Sequence, residues 1–263
     1  MAVGTNAFVL TKNRLEDVMP YLTYLRVNFS AGEKKRYAEI MGVKESSYDR
    51  VCQNIKDMVE IKKRDNLKVT IGMQMVLMPE DADQIIPLAK LGKKLRPDYA
   101  IIKHCSDNED GGLGVSYDEY EKLYPLLKEA ESYSDETYKC VIKWSKIKDQ
   151  GNNKRSYQRC YGAPFMIQLS GSGLVAPCGG LFNEKYKKFH IGNICETRFK
   201  DIWKSDKYWE VMNYLSSPNF NAQKMCASLC LQHKVNEALD DFVKGKGDMK
   251  QPDSNPPEHI NFI

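Results

Sequence analysis

Four cysteines in the second half of the chain carry the spacing best suited to chemistry. Cys160 opens Cys160-Tyr161-Gly162-Ala163-Pro164-Phe165. Cys178 closes a hairpin pattern, Leu169-Ser170-Gly171-Ser172-Gly173-Leu174-Val175-Ala176-Pro177, and precedes Gly179-Gly180. Cys226 and Cys230 form a C-x3-C pair in a segment whose pattern predicts a helix from about Cys226 to Val243. Residues four apart on a helix share a face, so two hairpin thiols and two helix thiols can converge on one metal centre. Four thiolates suit an iron–sulfur cluster. They equally suit a structural zinc ion, and four separate buried thiols are a third reading, since free cysteine is often core. The compact C-x2-C knuckles usual at zinc are absent from the sequence, which places the cluster reading modestly ahead.

The remaining chemistry-bearing residues are less informative. Cys52 falls in a helical pattern and Cys140 in a strand, both positions for core thiols. Cys195, in Ile191-Gly192-Asn193-Ile194-Cys195, is not counted as a ligand. His104 and Cys105 follow a strand at an end where barrel enzymes do chemistry, although a structural role suits both. His233 reads as a helix residue beside the cysteine pair. Gly111-Gly112-Leu113-Gly114 is no complete phosphate loop.

With 263 residues, 42% hydrophobic and 28% charged, the chain has the composition of a soluble globular protein. The formal net charge of +4 gives no reason to expect nucleic acid. No apolar run is long enough to span a bilayer, so no membrane partner is expected. The N-terminus lacks a signal-peptide pattern. The expected compartment is therefore the reducing cytoplasm, where the 8 cysteines serve as metal ligands or free thiols rather than disulfides.

The elements that must position these residues alternate along the first part of the chain. Strands are predicted at Ala7–Leu10, Tyr24–Phe29, Val69–Leu77, Tyr99–Lys103 and Tyr138–Trp144. Helices are predicted from Asn13 to about Leu22, from a serine cap at Ser46 or Ser47, from Pro79, and from about Ser116 to Ser134. Repeated strand–helix units imply parallel strands with right-handed crossovers, an α/β barrel or half-barrel of about four to five strands. The polar stretch 145–159 reads as a linker. Further helices are expected from Thr197 into Trp203 and from Ser205 to Leu215. The Gly- and Pro-rich stretch 244–263 reads as a tail. The expected domains are thus 1–144, a partial α/β barrel, and 160–243, a small α+β metal-binding domain.

The framing of the cysteines resembles the C-terminal part of radical S-adenosylmethionine (radical SAM) proteins with a SPASM or twitch extension. It runs through Cys160-Tyr161-Gly162, the hairpin to Gly179, Ile191-Gly192-Asn193-Ile194, Phe199-Lys200-Asp201-Ile202-Trp203-Lys204-Ser205 and Cys226-Ala227-Ser228-Leu229-Cys230. The combination is specific, whereas no single piece is. The front part is also similar: Thr5-Asn6 matches a "T-N-G" segment with Ala7 in place of glycine, and Leu25 to Ser30 matches the family's fourth strand. The resemblance covers most of residues 5–243. It implies one auxiliary [4Fe–4S] cluster on Cys160, Cys178, Cys226 and Cys230, and contacts from Asn28 and Ser30 to the ribose of S-adenosylmethionine.

The family's C-x3-C-x2-C loop and its "G-G-E" segment are not in the sequence. The expectation is a chain incomplete at its N-terminus, with S-adenosylmethionine bound only in a complete parent and not cleaved by this chain alone. Whether it is an enzyme stays open. The expected partners are an unknown substrate (peptide, protein or small molecule) and an electron donor. The alternative is a non-catalytic zinc- or cluster-binding scaffold that recognises a peptide or protein.

Overall fold

The computed structural model describes residues 1–107, 112–148, 155–226 and 230–248. The chain divides into two compact units, with the described residues 1–105 and 115–148 in the first and 106–107, 112–114, 155–226 and 230–248 in the second. No helix among the described residues is long and apolar enough to cross a membrane.

The first unit is built on a five-stranded parallel sheet: β1 (Ala2–Thr5), β2 (Tyr24–Asn28), β3 (Thr70–Leu77), β4 (Tyr99–His104) and β5 (Lys139–Ile142), paired in that order. The helices between them are α1 (Lys12–Val18), α2 (Lys34–Met41), α3 (Glu45–Arg64), α4 (Ile85–Leu95) and α5 (Tyr124–Glu131), followed after β5 by α6 (Trp144–Ile147). A short 3-10 turn, Pro79–Gln84, leads into α4, and another, Tyr117–Leu123, leads into α5. Sequential parallel order is the signature of repeated right-handed strand–helix units.

One face of this sheet carries the main core. Leu25 and Val27, Ile71, Met73, Met75 and Leu77, Ala100 and Ile102, and Cys140 and Ile142 pack with Val51, Ile55, Met58 and Ile61 of α3 and with Leu88, Ala89 and Leu91 of α4. The α3 residues recur at helical spacing, so one stripe is buried and the rest is solvated. Alternation along the strands sends the intervening side chains to the opposite face. There Tyr99 and Ile101 form a separate small cluster with Tyr24 and Val141. Gly72 makes this possible, because a Cβ at that position would lie 2.1 Å from Cζ of the Tyr99 ring.

Several expected elements are placed differently. The Ala7–Leu10 strand is a turn, with Ala7 at φ 58°, and the first strand is Ala2–Thr5. Thr5 Oγ1 accepts from the Ala7 N–H at 3.0 Å and Asn6 Oδ1 from the Phe8 N–H at 3.1 Å. These side-chain oxygens offer the backbone partners that compete with a ladder. α3 starts at Glu45, so Ser46 and Ser47 lie inside its first turn and do not cap it. The expected helix from Ser116 is split, with only its second half α-helical. α2 had no counterpart in the sequence reading. The tail residues 249–263 and the linker residues 149–154 lie outside the described residues.

Replacing Gly72 with alanine is expected to displace Tyr99 and to cost about 1–3 kcal/mol. Urea denaturation of the variant would show a lower midpoint at unchanged slope, and a Tyr99→Leu second change would recover part of the loss.

Candidate metal centre

The second unit is held by a three-stranded antiparallel sheet of β6 (Gln168–Leu169), β7 (Leu174–Ala176) and β8 (Gly192–Asn193). Its helices are α7 (Phe199–Ile202), α8 (Asp206–Leu215), α9 (Ala222–Met225) and α10 (His233–Val243). Their core gathers Val175, Leu181, Phe189, Ile191, Ile202, Tyr208, Val211, Leu215 and Phe220, with Cys160, Cys178 and Cys226 packed against it. Ser205 caps α8 by accepting from the Tyr208 N–H, as the sequence leads one to expect of a serine at a helix start.

Each of the four cysteines enters from a different local structure. Cys160 donates its N–H to the Leu215 carbonyl at the end of α8, 2.9 Å away. Cys178 lies two residues beyond β7 in extended backbone (φ −161°, ψ 166°), just before the turn Gly179–Leu181. Cys226 ends α9, also extended (φ −105°, ψ 145°). Cys230 precedes α10, which begins at His233. The C-x3-C pair is therefore not on one helix as expected. α9 stops at Met225 because the chain turns extended at Cys226, and the amphipathic pattern that marked a helix belongs to 233–243. Residues 227–229 lie outside the described residues.

The four thiols nevertheless lie within electrostatic reach of one another. Cys160 feels the charge of Cys230, Cys178 feels Cys160 and Cys230, and Cys226 feels Cys160, Cys230 and Cys178. Burial pushes the Cys178 thiol up to about 11, and repulsion from Cys160 and Cys230 adds to it. Burial likewise pushes Cys226 up to about 12, with Arg155 opposing the shift. Cys160 is raised by burial, against the pull of hydrogen bonds to its sulfur. Without a metal such thiols stay protonated at neutral pH, and binding a cation would have to expel their protons.

Asn236, fully buried on α10, organises the approach to two of these sulfurs. Its Oδ1 accepts the N–H groups of Tyr161 and Gly162 at 2.7 and 2.8 Å. Those two donors fix which end of the amide is oxygen. The Nδ2 end then points at Cys160 Sγ (3.7 Å) and Cys230 Sγ (3.9 Å). Gly162 is required here by close approach, since a Cβ would stand 2.9 Å from Gln232 Cβ. Backbone N–H groups of Gly162 and Ala163 serve the Cys160 sulfur, and those of Gly180 and Leu181 serve Cys178. Arg155, buried, donates to the Ala222 carbonyl and so ties 155–158 to α9, where Gln158 also accepts from the Ala222 N–H at 2.8 Å. Sulfurs supplied with N–H donors and apolar cover are what an iron–sulfur cluster requires of a protein. No group of three or more His, Cys, Asp or Glu among the described residues is drawn tightly enough to hold a single metal ion.

Asn236 and Arg155 were not found by sequence reasoning. A single amide beside Val235 in a helix leaves no distinct sequence signal, and Arg155 falls in the stretch read as a linker. The excluded thiols fall elsewhere: Cys195 is exposed, while Cys52 and Cys140 are buried in the first unit's core. His233 pairs with Tyr157 (Nδ1 to Oη 3.2 Å) and with Glu237 (3.2 Å).

In the first unit, Asn28 is exposed at the end of β2, where its Oδ1 accepts from Gln74 Nε2 at 3.0 Å. Gln74 is its register partner in β3. Ser30 is buried in the loop that follows. That loop is pinned by Gln84, whose Oε1 accepts the N–H groups of Gly32 and Glu33 at 3.2 and 3.1 Å. Neither glutamine was singled out from sequence.

Residues 160–231 match the SPASM family, described as an iron-sulfur cluster-binding domain. No curated protein matches the chain. Among solved structures, Streptococcus suis SuiB bound to S-adenosylmethionine is similar over 87% of this chain and 55% of its own, at 14% identity and a TM-score of 0.57. SuiB bound to the precursor peptide SuiA matches over 87% of this chain and 54% of its own, with 16% identity and a TM-score of 0.55. Native anSMEcpe with bound AdoMet matches over 92% and 72%, with 12% identity and a TM-score of 0.52. The chain thus spans about half the length of the SuiB structures it resembles. The five-stranded parallel sheet and the SPASM match together define a protein of radical SAM fold that carries a SPASM iron–sulfur domain.

Asn236→Leu is expected to strand the Tyr161 and Gly162 N–H groups and to destabilise the second unit by roughly 2–4 kcal/mol. Asn236→Asp keeps the acceptor but replaces the N–H donors with negative charge beside the sulfurs. It should melt below wild type but above Asn236→Leu, since the Tyr161 and Gly162 N–H groups keep an acceptor while a buried charge is added, and it should retain less iron after anaerobic reconstitution.

Proposed function

We propose that Cys160, Cys178, Cys226 and Cys230 hold one auxiliary [4Fe–4S] cluster that supports radical chemistry in a complete parent protein. The observation that carries this is the mutual approach of the four thiols, with N–H donors aimed at the Cys160, Cys178 and Cys230 sulfurs. When bound, such a cluster supplies one-electron chemistry or structural support. Four cysteine ligands would leave no position open for substrate, which favours electron transfer or support over substrate ligation. The chain's own part is to hold the thiolates, shield them with Val175, Leu181 and Phe189, and stabilise their charge through Asn236 and the backbone.

Asn28 and Ser30 are proposed as contacts to the ribose of S-adenosylmethionine, with Gln74 and Gln84 as positioning residues. Ligands of open α/β sheets sit beyond the carboxyl ends of the strands, where Asn28 and Ser30 stand. The sequence has no C-x3-C-x2-C segment to hold the cluster that reduces S-adenosylmethionine. This chain alone is therefore proposed not to cleave it.

Metal analysis of chain purified anaerobically tests the first statement. About four iron and four sulfide per chain, with absorbance near about 400 nm, are expected, and each Cys→Ala change at the four positions should lower the iron content, while Cys195→Ala should not. Stoichiometric zinc without sulfide would instead favour a zinc scaffold that binds a peptide or protein. Formation of 5′-deoxyadenosine by reconstituted, reduced chain would refute the second statement.

A further inference from the structure

The sheet face opposite the helices carries a group of cations that the cluster reading leaves unused. Arg26 on β2 and Lys103 on β4 share this face with Tyr24, Tyr99 and Ile101 by strand alternation. Lys103 stands at the carboxyl end of β4, in register with Val76 of β3. Lys146, on α6, lies within electrostatic reach of both Lys103 and Arg26, and Lys143 adjoins Lys146. All four are half-buried. Among the described residues, none of them forms an ion pair with Asp or Glu, whereas Lys12, Lys34, Arg36, Lys62, Arg64 and Arg96 of the same unit all do. The Arg26 Nε is buried with no hydrogen-bond partner among the described residues.

Like charges drawn together away from water repel, and a buried guanidinium N–H without an acceptor adds a desolvation cost. Burial, then repulsion from Lys146 and Arg26, holds the Lys103 ammonium down to about 8, with Cys105 the one facing group that pulls the other way. An anion placed among the three would relieve every one of these costs at once. The guanidinium edge offers a planar fork to two oxygens, and the two ammonium groups act as point charges beside it.

We propose that Arg26, Lys103 and Lys146 form a recognition site for an oxyanion, a carboxylate or phosphate group carried by the substrate. The assignment rests on the reading that substrate is handled at this sheet face, entered from the carboxyl ends of the strands, with Arg26 the deepest of the three.

Inorganic phosphate is the probe, titrated into the full chain by calorimetry, with S-adenosylmethionine titrated in parallel because its own carboxylate is the other oxyanion to hand. Arg26→Gln and Lys103→Met should each weaken phosphate about tenfold, or 1.4 kcal/mol. Should the chain alone take up S-adenosylmethionine, that affinity should change less than about threefold, and in either case Lys63→Gln, on the exposed end of α3, should leave phosphate binding unchanged. Removing a repelling charge should also raise the melting temperature of the phosphate-free Lys103→Met variant. Phosphate should then raise the melting temperature of the wild type more than that of the variant. Unchanged phosphate affinity in both variants would overturn the proposal. So would a parallel loss of S-adenosylmethionine, which would assign the cations to that molecule, or a lower melting temperature for Lys103→Met. The phosphate arm needs no cluster, so a failure to find iron would sink the radical reading while leaving this site standing.

Discussion

The cysteine site depends on one buried amide. Asn236 accepts two backbone N–H groups from the Cys160 loop and turns its own NH2 toward the sulfurs of Cys160 and Cys230. A buried polar group is costly unless its partners are all present, so this side chain couples α10 to the Cys160 loop in an all-or-none way. Asn236 is also the middle of a buried polar stripe along α10 and the residue before it, Gln232, Asn236 and Asp240, at four-residue spacing. Of the three, Asn236 carries the side-chain hydrogen bonds to the rest of the unit, while Asp240 pairs with Lys244 on the same helix.

The first unit solves a different problem with more conventional means. Its five parallel strands bury one face under α1, α3, α4 and α5, and Gly72 leaves room on the other for the Tyr99 ring. That second face is where charge is left unbalanced. Lys62 meets Asp98 at 2.6 Å at the amino end of the strands, while Arg26 in the middle of β2, Lys103 near the carboxyl end of β4 and Lys146 on α6 meet no carboxylate among the described residues. Surplus charge of one sign on a half-buried sheet face is an arrangement that a bound anion would stabilise.

Much of the fold was legible because its signals are local. The apolar run from Val69 to Leu77, the stripe from Val51 to Ile61 and the serine before α8 each specify their element through short-range periodicity or capping. The misreadings share a cause as well. Phe8 and Val9 look like a strand, yet Thr5 and Asn6 side chains capture the backbone into a turn and leave both exposed. Cys226 and Cys230 look like one helical face, yet the helix begins at His233. In each case a tertiary or side-chain partner outcompeted a weak periodic preference.

The sequence by itself determined the number and order of the strand–helix units and which four thiols frame a SPASM-like pattern, because hydrophobic period and motif order are properties of the chain. It also determined that no C-x3-C-x2-C segment is present. Only the tertiary structure decided that those thiols come within electrostatic reach of one another, that Asn236 and the turns at Gly162 and Gly180 donate to their sulfurs, and that Arg26 and Lys103 share a sheet face within electrostatic reach of Lys146. Such meetings depend on strand register and helix docking, which bring together residues as far apart as Cys160 and Asn236, or Arg26 and Lys146, and which no local spacing encodes.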